Sequence, residues 1–393
     1  MDPREQLDLT ILMPCLNEAE TLVACIDKAQ RGLAAAGVEG EVLIADNGST
    51  DGSLSLARDH GARVVEIVAK GYGSALRGGI EASRGRWIFM GDADDSYDFS
   101  EAPRFVEKLR EGNDVVMGCR LPSGGGTIRP GAMPWKNRWL GNPALSFLGR
   151  LFFRTPIRDF HCGLRAFTRA AYDRMELKTT GMEFASEMVM KASQHRMRIA
   201  EVPITLHPDG RSRPPHLRPW RDGWRHLRFM LIYSPRWLFL MPGLFLAGLG
   251  SVAALAIFLT PVQFGHVNLD AGTLIVACMA VIIGVQFVAF ACFAKEFAIA
   301  EGLLSPDPRF ARWMEFWTLE KGLILGVLLF LLGLVLFAWA VWEWARVRFG
   351  NLPYEENLRR IMAAATCIVV GLQIMGASWF LSVLGLKTKS RTA

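Results

Sequence analysis

The chain has 393 residues, 51% of them hydrophobic, with 44 Lys and Arg against 38 Asp and Glu for a net charge of +6. To about Arg228 short apolar runs alternate with charged, Gly-rich segments, whereas most of the chain after Trp237 is apolar with its charges confined to short connections. Two such regimes exclude a single soluble domain, and seven scattered cysteines with no Cys-x-x-Cys pair point to reduced, buried thiols.

Leu9 to Pro14 reads as a first strand, followed by Asn17-Glu18 and a helical pattern through about Ala36. Glu41 to Ala45 is a second strand that ends in the polar run Asp46-Asn47-Gly48-Ser49-Thr50-Asp51-Gly52. Arg63 to Val68 makes a third, and the turn from Lys70 and Gly71 to Gly79 after it leaves backbone N–H groups at a helix start. That turn lacks the third glycine of a dinucleotide fingerprint and the Gly-Lys-Ser/Thr of a phosphate loop, so by itself it reads as a loop. Trp87 to Met90 is a fourth strand and Asp114 to Gly118 a fifth, ending in Arg120. Strands alternating with helices predict an α/β fold, a doubly wound and mostly parallel sheet. The fourth strand runs into Gly91-Asp92-Ala93-Asp94-Asp95, delivering carboxylates to the carboxyl edge of the sheet, where α/β proteins place ligands. Hard oxygen donors there suit Mg²⁺ or Mn²⁺ completed by substrate phosphate oxygens, which implies a nucleoside-diphosphate partner.

Between Leu217 and Tyr233 a tryptophan stripe (Trp220, Trp224, with Leu227 and Leu231) runs beside an arginine stripe (Arg218, Arg221, Arg225, Arg228). This predicts an amphipathic helix lying at a membrane surface, and argues against nucleic acid because the membrane would already cover those charges. Four apolar stretches follow at about 237–259, 271–294, 322–342 and 361–384, each near the ~20 residues a bilayer demands. The expected organisation is residues 1–215 as the α/β domain, 216–235 as the juxtamembrane helix and 236–393 as an all-α membrane domain. The first apolar run, Leu9 to Leu16, is too short and broken for a signal peptide, so the α/β domain is expected on the cytoplasmic side of a multi-pass protein. Lys295, Arg309, Arg312 and Lys321 in the second connection agree, and Arg346, Arg348, Arg359 and Arg360 in the third do not.

Several motifs occur in a telling order: Pro14-x-x-Asn17-Glu18, Asp46-x-Gly48-Ser49-x-Asp51-Gly52, Gly71-x-Gly73-x-Ala75, Asp92-Ala93-Asp94 and Gly118-x-Arg120. The set resembles family 2 glycosyltransferases of the GT-A fold. Asp159-Phe160-His161-Cys162-Gly163-Leu164-Arg165-Ala166-Phe167, Gly181 to Glu187, and Glu201 through Arg211-Ser212-Arg213 resemble the polyprenyl-phosphate hexose synthase branch, similar to dolichyl-phosphate-mannose synthases. That resemblance implies that Glu18 and Asp46 hold the nucleoside of a nucleotide-sugar, with Pro14, Asn17, Ser49, Lys70 and Gly71 around it. It implies that Asp92 and Asp94 engage the diphosphate and its metal, and that Arg120, Arg211, Ser212 and Arg213 meet phosphate groups on donor or acceptor. Asp159 and Glu187 are candidates for orienting sugar or acceptor hydroxyls, against an Asp159–Arg165 ion pair and a helix-face Glu187; His161 and Cys162 read as packing.

The expected reaction is inverting transfer of glucose or mannose, from UDP-glucose or GDP-mannose, to a polyprenyl phosphate. A polysaccharide synthase would carry Gln-x-x-Arg-Trp, which is missing. A transporter or flippase with a nucleotide-binding regulatory domain, or a transferase using another lipid acceptor, is the alternative, and the spans hold no interior Asp, Glu, Lys or Arg to serve transport. A homo-oligomer is left open.

Overall fold

A computed structural model describes residues 7–212, 219–259, 262–264, 267–351 and 354–386. It divides into two compact units, Met1–Met230 and Leu231–Ala393.

The first unit is built on a seven-stranded sheet in the order β3-β2-β1-β4-β7-β5-β8. Its strands are β1 (Leu7–Cys15), β2 (Gly40–Asp46), β3 (Arg63–Glu66), β4 (Gly85–Met90), β5 (Val115–Cys119), β7 (Arg165–Thr168) and β8 (Ile199–Pro203); β6 (Thr127–Ile128) and β9 (Thr205–Leu206) form a separate pair. All the ladders of the main sheet are parallel except those of β7, which runs antiparallel between β4 and β5. β1 extends through Pro14 to Cys15, one residue past the predicted end, and Pro14 lies opposite Ala45 of β2. Strand interiors such as Ile11, Leu12, Ile88 and Phe89 are fully buried, as continuous apolar strands covered on both faces should be. On one face Leu9, Ile11, Met13 and Phe89 join residues of α1 (Leu22–Ala36) and α4 (Ala102–Arg110). On the other, Gly79 of α3 (Tyr72–Ala82) brings that helix backbone against Leu12 and Ala45, with no room for a Cβ.

The remaining helices of this unit are α2 (Ser53–Asp59), α5 (Asn142–Phe153), α6 (Arg169–Met175), α7 (Phe184–Gln194) and α8 (Pro219–Ile232), the last of which runs on past Met230. α5 and the turn before it leave Trp135, Trp139, Leu140, Phe147 and Leu151 exposed. On α8 Trp224 is exposed while Arg225 pairs with Glu183 and His226 meets Ser186. Arg213, Leu217 and Arg218 fall outside the described residues.

The second unit holds α9 (Met241–Leu259), α10 (Ala271–Ala300), α11 (Pro308–Phe316), α12 (Leu319–Arg346) and α13 (Tyr354–Leu384), and it departs from the expected all-α domain by the antiparallel pair β10 (Val262–Phe264) and β11 (Val267–Leu269) between α9 and α10. Among the described residues four segments are long and apolar enough to cross a membrane: Arg236–Leu259, Gly272–Ala300, Leu319–Arg346 and Asn357–Leu384. Small residues close the helix pairs, as lipid-embedded packing requires. Gly243 and Gly250 of α9 meet the α10 backbone near Gly284 and Ala277, and Gly326 of α12 meets Gly371 of α13. A Gln373 to Gln286 hydrogen bond of 3.1 Å joins α13 to α10. The connection after α10 contains α11, a helix the charge pattern did not disclose, capped by Asp307, which also pairs with Lys295.

Candidate active site

The strand order reverses between β1 and β4, because β2 and β3 lie to one side and the rest of the sheet to the other. Loops leaving the carboxyl ends of two such strands diverge and open a crevice, the usual ligand position in an open α/β sheet. Gly91 N donates to Leu12 O at 3.2 Å, so the β4 loop leaves the sheet while β1 runs on to Cys15 beside it.

The β1 and β2 loops are zipped together. Asn17, at φ +60°, donates its N–H to Ser49 Oγ (2.8 Å) and accepts from Thr50 N (2.7 Å). Glu18 N donates to Ser53 Oγ (3.1 Å) and Ala19 N to Asp51 Oδ2 (3.0 Å). Asp46 is buried and accepts from Gly48 N (2.8 Å) and Ser49 N (3.1 Å), which fixes the turn beside it. Asn47 then gathers the next loop, donating to Ile67 O and Ala69 O and accepting from Gly71 N, while Lys70 Nζ donates to Asn47 O (2.7 Å). The set predicted to surround a nucleoside is thus one preorganised wall.

The helix start after Gly71 differs from expectation. Ser74 N donates to Thr180 O (3.1 Å), and that carbonyl packs where a Cβ on Gly71, at φ +123°, would stand. The N–H of Ser74 is therefore covered by the 178–181 turn. Glu187 holds the turn in place by accepting from Lys178 N (3.0 Å), Thr179 N (2.8 Å) and Thr179 Oγ1 (2.7 Å). Fully buried, Glu187 presents no face to substrate, which corrects the expectation that it orients hydroxyls.

Three successive roles divide the acidic run after β4. Asp92 accepts from Tyr72 Oη at 3.0 Å, and burial together with the neighbouring Asp94 charge pushes its carboxyl up to about 6. Asp94 accepts from Ser96 N (3.1 Å) and Ser96 Oγ (2.6 Å), leaving its second oxygen toward Arg211 (3.1 Å). Asp95, at φ +63°, turns back to Lys28 of α1 (2.7 Å) and leaves the corner. Among the described residues no third Asp, Glu, His or Cys joins Asp92 and Asp94. Two carboxylates suit Mg²⁺ or Mn²⁺, which keep waters and take substrate phosphates for the rest of the shell, and the raised Asp92 marks a carboxylate that a cation would stabilise.

Arg120 and Asp159 come together as a buried bidentate pair. Arg120 Nε and Nη2 each donate to the Asp159 carboxylate at 2.8 Å and Arg120 N donates to it at 2.9 Å, with the Asp159 side chain fully buried. Arg120 Nη1 also reaches Tyr97 Oη (3.4 Å), itself an acceptor for Gly163 N (2.9 Å). This corrects the Asp159–Arg165 alternative. Arg165 is fully buried and donates to the backbone carbonyls of Cys162, Phe160 and Ala185, which shapes the 159–165 loop behind Asp92. Cys162 lies in that loop with its thiol pushed up to about 12 by burial. His161 packs against Phe160 and His226, with ring centroids 5.1 and 4.8 Å away, and burial holds its imidazole well below the usual range.

Arg211 and Ser212 stand against the loops that leave β1 and β4. Arg211 pairs with Glu18 (3.1 Å), Asp94 (3.1 Å) and Asp209, and Ser212 donates to Glu20. Tyr72, Tyr97, Asp209 and Glu20 went unread in the sequence. Tyr72 and Tyr97 could have been found by their nearness to Gly71 and Asp94, whereas Asp209 and Glu20 carry no local signal.

Residues 10–175 match the model of glycosyl transferase family 2, and residues 292–385 match that of the glycosyltransferase family 2 C-terminal transmembrane region. The chain is similar to the low-salt glycan biosynthesis hexosyltransferase Agl6 of Haloferax volcanii, 36% identical across 96% of this chain and 89% of that protein. It is also similar to a dolichyl-phosphate hexose transferase of the same organism, 32% identical across 50% of this chain and 82% of the relative. A solved glucosyl-3-phosphoglycerate synthase from Mycobacterium tuberculosis covers 58% of this chain and 78% of its own, at 21% identity and a TM-score of 0.43. With the GT-A sheet, the carboxylate corner and four apolar helices in place, the chain belongs to glycosyltransferase family 2, in the branch of the Haloferax hexosyltransferases, and is a membrane protein.

Proposed function

We propose that this enzyme transfers glucose or mannose, with inversion, from UDP-glucose or GDP-mannose to a polyprenyl phosphate, using Mg²⁺ or Mn²⁺. The observation that carries the reading is the corner at the switch point, where Asp92 and Asp94 stand beside Arg211 and the zipped β1 and β2 loops. Glu18 and Asp46 hold the nucleoside, aided by Pro14, Asn17, Ser49, Lys70 and Gly71, and Asp92 and Asp94 hold the metal. When bound, the metal neutralises the diphosphate that leaves. A lipid phosphate is ionised at neutral pH and is its own nucleophile, so the chain needs no general base and works by positioning two anions in line. One of its oxygens bonds to the anomeric carbon as the bond from that carbon to the donor diphosphate breaks. A single displacement of this kind turns an α-linked donor into a β-linked product.

Asp159 and Arg120 act from behind the corner, fixing the β5 end and, through Tyr97, the 163 turn. Arg211, Ser212 and Arg213 meet the phosphate groups of donor and acceptor. Supporting a lipid acceptor are the exposed apolar residues of α5, Trp224 of α8 and the Haloferax relative named for dolichyl phosphate. Positive-inside counting supports a cytoplasmic catalytic unit in part, through the second connection and against the third. The test is nucleotide release by the purified full chain from a panel of nucleotide-sugars, with and without polyprenyl phosphate. Release from UDP-glucose or GDP-mannose that depends on the lipid is expected, and release indifferent to the lipid would overturn the acceptor assignment.

A further inference from the structure

The segment after β9 folds back over the ends of β1 and β4 as a strap. His207 N donates to Ser96 O (3.0 Å), Gly210 N donates to Asp94 O (3.0 Å), and Ser212 donates from both N and Oγ to Glu20, each at 2.7 Å. The strap lays one guanidinium across the crevice. Arg211 Nη1 lies 3.1 Å from Glu18 Oε1, Nη2 lies 3.1 Å from Asp94 Oδ2, and Nε lies 2.8 Å from both Asp209 oxygens, with the side chain only 9% exposed. One cation therefore serves three carboxylates from three separate stretches of chain.

Two of those carboxylates are the ones a donor needs. A divalent ion at Asp94 competes for the oxygen that Arg211 holds, and a dication and a guanidinium on one carboxylate repel each other in a site this shielded from water. A diphosphate arriving with the ion brings new anionic oxygens on which a guanidinium forms strong, charge-assisted hydrogen bonds. Arg120 cannot make such a move, because Asp159 holds it at both oxygens in the dry interior.

We propose that Arg211 is an exchangeable positioning residue, neutralising Glu18 and Asp94 before the donor binds and passing to phosphate oxygens when the metal and nucleotide enter, with the strap moving alongside. Donor binding then precedes acceptor binding and completes the cationic side of the acceptor site. The inference rests on the donor-site reading above and gives it an order of events.

Calorimetry on the full chain in detergent tests it, with Mn²⁺ alone and then with UDP or GDP in the presence of Mn²⁺. Arg211→Met should bind Mn²⁺ alone about tenfold more tightly, since a competing charge is gone, and bind the nucleotide with Mn²⁺ several-fold more weakly. A fixed structural role would move both affinities in one direction or neither, and that result would overturn the exchange. Glu20→Ala, which loosens the strap without touching the corner, should likewise tighten Mn²⁺ binding. In the wild type, Mn²⁺ and the nucleotide together should change the rate at which trypsin cuts after Arg211; cleavage unaffected by them would contradict the strap's movement. Mn²⁺ binding lost in Asp92→Asn but unchanged in Arg211→Met would sink the exchange while leaving the donor site standing.

Discussion

Arg120 and Arg211 both lie near the carboxyl edge of one sheet, yet they are held in opposite ways. Arg120 is matched to a single acid, Asp159, through three hydrogen bonds in a dry interior. Arg211 is divided among Glu18, Asp94 and Asp209 at the crevice. A bidentate pair with every donor in place is a fixture, because removing either member strands a charge where water cannot reach it. A cation shared by carboxylates that have other prospective partners is a placeholder. Two arginines that the motif reading grouped together as phosphate ligands are thus held differently, and on the proposal above they are a strut and a movable charge.

The largest effect should come from the corner that Arg211 guards. Asp94→Asn should lower hexosyl transfer by about a hundredfold or more, and EDTA should do the same to the wild type, measured as initial rates on one donor. Full activity of that mutant in chelator would remove the metal and leave Arg211 with nothing to yield to. Arg120→Ala should instead act on the fold, costing about 3–5 kcal/mol by denaturant unfolding because Asp159 is left buried and alone. Arg211→Ala should cost less stability than that. If the two arginines destabilise equally, the distinction between strut and placeholder fails.

A smaller effect tests the loop behind the corner. His161 has both ring nitrogens buried without a hydrogen-bond partner and is faced by His226 of α8, Arg165 of β7 and Arg120 after β5. Its folded-state pKa is depressed, so the neutral ring's contribution is complete above the unfolded value near 6.5 and is lost as pH falls below it. Between pH 7.5 and 5.5 the wild type should therefore lose about 1 kcal/mol more than His161→Phe, read from the first thermal transition of the full chain. Equal losses would show that His161 is solvated or already paired. Smallest of all, Gln373→Leu should cost about 0.6 kcal/mol by removing the Gln286 bond between α13 and α10, measured by unfolding in mixed micelles. A loss of several kcal/mol there would mean that the membrane unit also depends on a polar fixture.

What the sequence disclosed follows a physical divide. β1, β2 and β4 are runs of apolar residues buried on both faces, and such runs announce themselves, as do the carboxylates that must follow where a strand leaves the core. β7 did not. It begins with Arg165, a charge that reads as a loop, and inserts antiparallel between β4 and β5 through pairings far apart in the chain. The same limit applies to partners in the site. The Arg120–Asp159 pair spans 39 residues and the Arg211–Glu18 pair 193, and neither spacing has a local signature. Only the positive φ of Asp95 separates it from Asp94, sending one carboxylate to Lys28 and leaving the other at the crevice.

The central claim is that the corner at the switch point passes a hexose to a membrane-held phosphate. Its most direct test is to incubate the full chain in lipid nanodiscs with polyprenyl phosphate, Mn²⁺ and either UDP-[¹⁴C]glucose or GDP-[¹⁴C]mannose, and then extract with organic solvent. The account predicts label in the lipid phase from one of the two donors, as a β-linked hexosyl phosphate, with none from Asp94→Asn. Label released only as free sugar in water, or an α-linked lipid product, would contradict it.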